Sequence, residues 1–233
     1  MQQRQGGCFS VKLFRRVFAR VAVAAVDLQG AIGHPAGGLT SSDFGHGGGA
    51  AGWFGAVMQP RCPLQQHASG IDVVTRRSGG GLMLLIPGEH LWLDVVIGSD
   101  DPLWTNDVQT SMNWLGSIWQ RALAECGVTE THVAQGVLVA DDLGQLVCFA
   151  GRGPGEVMGS NATTKYVGVS QRRTRDQARF QCTAYTAWDP KVLAALLAEP
   201  IEDATRLRDM VGIVPVAPKV LAARVFELIS ELD

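Results

Sequence analysis

"TRRSGGGLMLLIPGEHLWLDVVI", Thr75 to Ile97, sets two arginines and three consecutive glycines ahead of two apolar runs. The runs, Leu82 to Ile86 and Leu91 to Ile97, read as strands, and Pro87-Gly88 turns the chain between them. A plain hairpin needs one or two glycines in its turn. Three in a row, with Arg76 and Arg77 beside them, suit a loop whose bare backbone lies flat against a ligand. The loop is not a Walker motif, because no Gly-Lys-Ser/Thr follows the glycines. Nor is it a dinucleotide fingerprint, because a strand rather than a helix comes next.

Upstream, Trp53 to Met58 and the β-branched run Ile71 to Thr75 read as two further strands. Downstream, "NDVQTSMNWLGSIWQRALAECG" is a helix. Val108, Met112, Leu115, Trp119, Leu123 and Cys126 recur at helical spacing and form one apolar face, a core stripe. Thr105 or Asn106 is placed to cap its start and Gly127 its end. Short strands are expected at Gly136 to Ala140, Gln145 to Ala150, Lys165 to Val169 and Arg179 to Tyr185. Pro190 to Ala198 and Ala217 to Leu232 read as amphipathic helices. The sum is an α+β fold: a mixed, hairpin-rich sheet flanked by helices.

With 233 residues and 46% apolar side chains, the chain can bury a sizeable core. The formal net charge of −2 gives no global attraction to nucleic acid or to an anionic membrane. Cys8, Cys62, Cys126, Cys148 and Cys182 are odd in number and lack paired spacing. They suggest neither a disulfide framework nor a metal site, and a reducing cytoplasm is the expected compartment. Residues 1–52 are expected to form a basic N-terminal surface helix followed by a poorly ordered Gly-rich connection, with 53–233 as the main domain. The only continuous apolar run there, Val21 to Val26, is too short to span a membrane.

A second stretch also asks for a ligand. "CFAGRGPGEVMGSNATTKYVGVSQRRTRDQARFQC", Cys148 to Cys182, holds a single lysine, Lys165, on an expected strand. Arg172, Arg173, Arg175 and Arg179 follow within eight positions. Such clusters often only solvate a face; beside a second cationic Gly-rich loop, they favour an anionic ligand.

In order and spacing, "RRSGGG", a hydrophobic strand and a distant Lys-x-x-Gly-x-Ser-Gln-Arg-Arg resemble the lipoate–protein ligase, octanoyltransferase and biotin–protein ligase superfamily. The resemblance runs from about Trp53 to Cys182 and implies a class II synthetase-like catalytic domain. By position it implies that Arg76, Arg77, Ser78, Gly79, Gly80 and Gly81 form the acyl- and adenylate-binding loop. Lys165 becomes the catalytic lysine, and Gly168 and Ser170 line the carbonyl end. Glycine amides approaching an oxyanion and a fixed ammonium on a carbonyl oxygen fit those roles physically.

The resemblance implies ligase chemistry with ATP, magnesium and lipoate or octanoate. The acceptor is a lysine of a lipoyl domain in a 2-oxoacid dehydrogenase E2 subunit or the glycine-cleavage H protein. "CFAGRGPGEV" also resembles the segment carrying the nucleophilic thiol of cysteine-dependent octanoyltransferases, which would make Cys148 an acyl carrier loaded from acyl carrier protein. Against that stands a buried strand cysteine among Leu146, Val147 and Phe149. A non-catalytic acyl- or adenylate-binding relative is the third reading. Two features depart from the pattern: no histidine occurs until His90 after the glycines, and only about fifty residues follow Cys182. Biotin is disfavoured as the cargo, because no nearby motif resembles the usual biotin-ligase loop.

Overall fold

The computed structural model describes residues 80–86, 88–198, 201 and 204–232, together with strands at 9–12, 18–23, 55–58 and 72–75. One sheet holds seven strands: β1 (Phe9–Lys12), β2 (Phe18–Val23), β6 (His90–Gly98), β7 (Thr131–Val133), β8 (Val157–Gly159), β9 (Lys165–Arg173) and β10 (Gln177–Tyr185). Their order is β1-β2-β6-β10-β9-β8-β7, antiparallel throughout. A second, smaller sheet is mixed. In it β3 (Gly55–Met58) runs parallel to β4 (Asp72–Thr75) and antiparallel to β5 (Met83–Leu85). The turn at Gly88 therefore carries the chain from one sheet to the other, with Glu89 N–H donating to the Ile86 carbonyl at 3.1 Å.

Alternate residues of β6 divide the interior. Leu91, Leu93, Val95 and Ile97 pack with Leu115 and Trp119 of α1 (Asn113–Glu125) and Leu221 and Val225 of α5 (Pro218–Ser230). Trp92 belongs instead to a second core with Leu82 to Leu85, Phe149, Tyr185 and Leu193, the last from α3 (Pro190–Ala194). Covered on both sides, β6 reads as an almost continuous apolar run, without the alternation of a half-exposed strand. Its one acid, Asp94, is buried on the second face. Arg179 donates to its Oδ2 at 3.0 Å and Trp92 Nε1 to its Oδ1 at 3.3 Å. Tyr185 ties the two sheets together by donating to the Leu84 carbonyl at 2.7 Å.

Several expectations need correction. Residues 9–12 and 18–23 are strands, and β2 lies beside β6, so the basic start is not the expected surface helix. The Gly-rich connection lies outside the described residues. Helix α1 starts at Asn113, not Asn106. Asp107 accepts from Gln109 N–H at 2.9 Å and from the Thr110 hydroxyl at 3.0 Å, local bonds that hold the preceding turns out of the helix. Val108 is accordingly exposed and leaves the apolar face.

Residues 136–140 form no strand; only Val139 bridges to Arg152. Gln145 to Ala150 is not a strand either. It is the end of α2 (Asp142–Leu146), capped by Asp141 accepting from Gly144 N–H, followed by a 3-10 turn, Cys148–Ala150. Helix α4 (Ala204–Asp209) lies in a stretch with no expected element. Among the described residues no helix is long and apolar enough to cross a membrane.

His90 opens β6 in a buried site, its Nδ1 2.8 Å from the Ile86 carbonyl. Burial holds its pKa down at about 4, against a partial opposing effect of that bond. The unfolded chain then binds more protons than the folded one between about pH 4 and 6.5, so His90 withdraws stability as pH falls through that window. Replacing it by asparagine, which keeps a donor near Nδ1, removes this dependence. Urea denaturation of wild type and His90→Asn should show a stability difference that moves against the wild type between pH 6.5 and 4, by on the order of 3 kcal/mol. Parallel curves would show that the buried ring does not titrate as described.

Candidate active site

The site is assembled at the exit of the glycine loop. Gly80 sits at φ +103, a backbone region that disfavours any side chain. A Cβ on the next residue, Gly81, would overlap the Leu146 carbonyl. The lack of side chains lets this strand lie against the end of α2: Leu82 N–H donates to Leu146 O at 2.6 Å, and Cys148 N–H to Leu82 O at 3.0 Å. Arg76, Arg77, Ser78 and Gly79 lie outside the described residues.

Lys165 begins β9 and is 1% exposed. Its ammonium donates to Glu156 Oε1 at 2.8 Å and to the Cys148 carbonyl at 2.7 Å, and lies 5.3 Å from the centre of the Phe149 ring. The glycine-loop exit, the Cys148 turn and the lysine are thus joined by consecutive bonds. Gly168, three residues along β9, completes the contact, since a Cβ there would press on Phe149 Cε2 at 3.1 Å. Ser170 lies two residues further on, roughly 6.5 Å along the strand and opposite Gln181.

Glu156 was not singled out in the sequence, although it is the only acid between Cys148 and Lys165. It is 4% exposed, and its Oε2 accepts from Gly153 N–H at 2.6 Å. Burial pushes its carboxyl above the usual range, and Lys165 opposes that shift. Its loop is fixed from behind by Gly155, at φ +77, where a Cβ would overlap Met112 just before α1. Gly155 N–H donates to Ala134 O at 2.9 Å, and Ala134 N–H donates to Glu156 O at 2.8 Å. "GPGE" is therefore a seat for the carboxylate.

Cys148 stands on the 3-10 turn and is partly exposed, whereas Cys182 is the fully buried strand cysteine, its thiol pushed up by burial. The arginine cluster does not converge. Arg173 stacks 3.9 Å over Trp104 and donates to Thr105 O at 2.7 Å, Arg179 pairs with Asp94, and Arg172 and Arg175 are exposed. Arg173 and Arg179 hold structure, on opposite faces of the sheet, so the four do not form the single anionic-ligand cluster that was expected.

This two-sheet arrangement is the fold of lipoate–protein ligase catalytic domains. A bipartite lipoate protein ligase of Thermoplasma acidophilum, from a structural analysis of that ligase and its E2 lipoyl domain, superposes with a TM-score of 0.57 at 18% identity, over 77% of this chain and 68% of that one. A lipoate-protein ligase A bound with ATP gives 0.58 at 16%, over 77% and 68%. LipL1 of P. falciparum in complex with lipoate gives 0.50 at 11%, over 77% of this chain and only 45% of that one. No protein-family model and no curated protein matches the sequence.

The ion pair makes Lys165 a structural residue as well as a candidate for chemistry. Lys165→Ala leaves a buried carboxylate without its cation and should lower stability by about 3 kcal/mol. The double variant Lys165→Met/Glu156→Gln removes both charges and should recover most of that loss in urea denaturation. A double variant no more stable than the single one would mean that the pair is not energetically coupled.

Proposed function

We propose that the protein attaches a lipoyl or octanoyl group to a lysine of a lipoyl domain, as a lipoate–protein ligase. The observation that carries this reading is the Lys165 ammonium, held by Glu156 and the Cys148 carbonyl beside the glycine-loop exit. The glycine loop binds the acyl group and its adenylate through main-chain amides, with Arg76 and Arg77 toward the phosphate and Ser78 to Gly81 around the acyl end. Lys165 donates to the acyl carbonyl oxygen and stabilises the negative charge that grows there as the acceptor amine attacks. Glu156 keeps the ammonium in place, and the Phe149 ring limits water around it. Gly168 and Ser170 line the carbonyl end.

ATP, as its magnesium complex, and lipoate or octanoate are the substrates. The acceptors are lipoyl domains of 2-oxoacid dehydrogenase E2 subunits or the glycine-cleavage H protein. The proposed setting is the cytoplasm.

The position of Cys148 favours a second reading. On a turn, partly exposed, and with its carbonyl on Lys165, it is no longer a buried strand cysteine. In that reading the thiolate takes octanoyl from acyl carrier protein, releasing the carrier thiol. The acceptor lysine then attacks the new thioester and frees Cys148.

Two measurements separate the routes. A ligase exchanges pyrophosphate into ATP in the presence of lipoate, and Cys148→Ser keeps most of that activity. The thioester route instead yields a hydroxylamine-labile octanoyl adduct on the wild type, without ATP, and none on Cys148→Ser. In either route Lys165→Met/Glu156→Gln should transfer at least about a hundredfold more slowly while remaining folded. Transfer by the folded double variant at near wild-type rate would remove Lys165 from the chemistry.

A further inference from the structure

Val137, Leu138 and Val139 are consecutive, apolar and 62%, 68% and 52% exposed. They account for three of the seven large exposed apolar side chains among the described residues. The strip is not a loose loop tip. Val139 exchanges both main-chain bonds with Arg152 at 2.8 Å, which fixes it to the segment directly after the Cys148–Ala150 turn. A Cβ on Gly153 would lie 3.6 Å from Leu138 Cδ1 and 3.6 Å from Glu156 Oε2, so Leu138 and the Lys165 partner flank the same glycine.

A cleft of about 500 Å³ opens beside the strip, lined by Val139, Ala150, Arg152, Met158, Asp141 and Asp209 among others. Asp141 is paired with Arg206 and Asp209 with Arg208. Among the described residues Arg152, unlike Arg206 and Arg208, has no carboxylate partner, so its guanidinium is the one at the cleft open to a carboxylate from outside.

Resting on the function proposed above, we infer that Val137 to Val139 and Arg152 form the docking surface for the acceptor domain. Its occupant is a small protein domain that lays an apolar patch on the strip and a carboxylate on Arg152. That places its target lysine at the Glu156–Lys165 end. Continuity with the proposed site and the lone guanidinium favour this occupant. A strip of three exposed aliphatic side chains is otherwise a liability on a protein surface.

The test uses Val137→Ser/Leu138→Ser and, separately, Arg152→Glu in the full chain, with an E2 lipoyl domain as acceptor. The loading half-reaction is followed by pyrophosphate exchange with lipoate or by acylation from octanoyl acyl carrier protein. Loading should be unchanged in the serine variant, while its KM for the lipoyl domain rises about tenfold, the scale of losing an interface anchor. Reversing the lipoyl-domain carboxylate nearest the target lysine should restore the Arg152→Glu variant. An unchanged KM with normal wild-type transfer overturns the docking surface alone. Slowed loading from acyl carrier protein would assign the strip to the donor, and loss of self-association in the variant would assign it to a second copy; either overturns the inference. No transfer to any lipoyl domain by the wild type overturns the proposed function and the inference together.

Discussion

A lysine ammonium and a glutamate carboxylate 2.8 Å apart, with side chains 1% and 5% exposed, constrain everything around them. Burying two such ions is costly by several kcal/mol each, and their mutual attraction offsets this only when the remaining donors and acceptors are also satisfied. Here the ammonium has the Cys148 carbonyl and the carboxylate has Gly153 N–H. Those partners come from a 3-10 turn, a glycine loop and a strand, so all three must be in register before the pair is tolerable. The turn is held in place by the glycine-loop exit, through Leu82 and Leu146, and the loop by Gly155 against Met112.

The same constraint supplies the chemistry argued for. A lysine on a flexible surface would spend much of its time away from a reacting carbonyl. One anchored at two points, with an aromatic ring beside it, is oriented before the substrate arrives. The anchoring also means that truncating the lysine damages the fold and the reaction at once, and the two effects need separating by a charge-neutral replacement of both partners. The fold itself is that of lipoate–protein ligase catalytic domains.

Much of this was legible in the residues. β6, β9, β10 and the buried face of α1 announced themselves by apolar runs and helical spacing, because the sheet is covered on both sides and α1 on one. Lys165 and the glycine loop stood out by isolation and composition. The stretch 136–150 misled, because Val137 to Val139 are apolar yet exposed, and because Leu146 to Phe149 are apolar through packing of a turn rather than a strand. Glu156 escaped notice because its role depends on where Gly153 and Gly155 place it, which no periodicity encodes. The arginines after Ser170 looked like one cluster, but strand alternation sends Arg173 to one face and Arg179 to the other.

The most direct measurement is the structure of the protein with lipoate and ATP bound. The acyl carbonyl oxygen should lie about 2.7–3.2 Å from Lys165 Nζ, between the Gly80–Leu82 backbone and Gly168, with Glu156 still paired. An acyl group bound elsewhere, with the ammonium touching only Glu156 and the Cys148 carbonyl, would contradict the account.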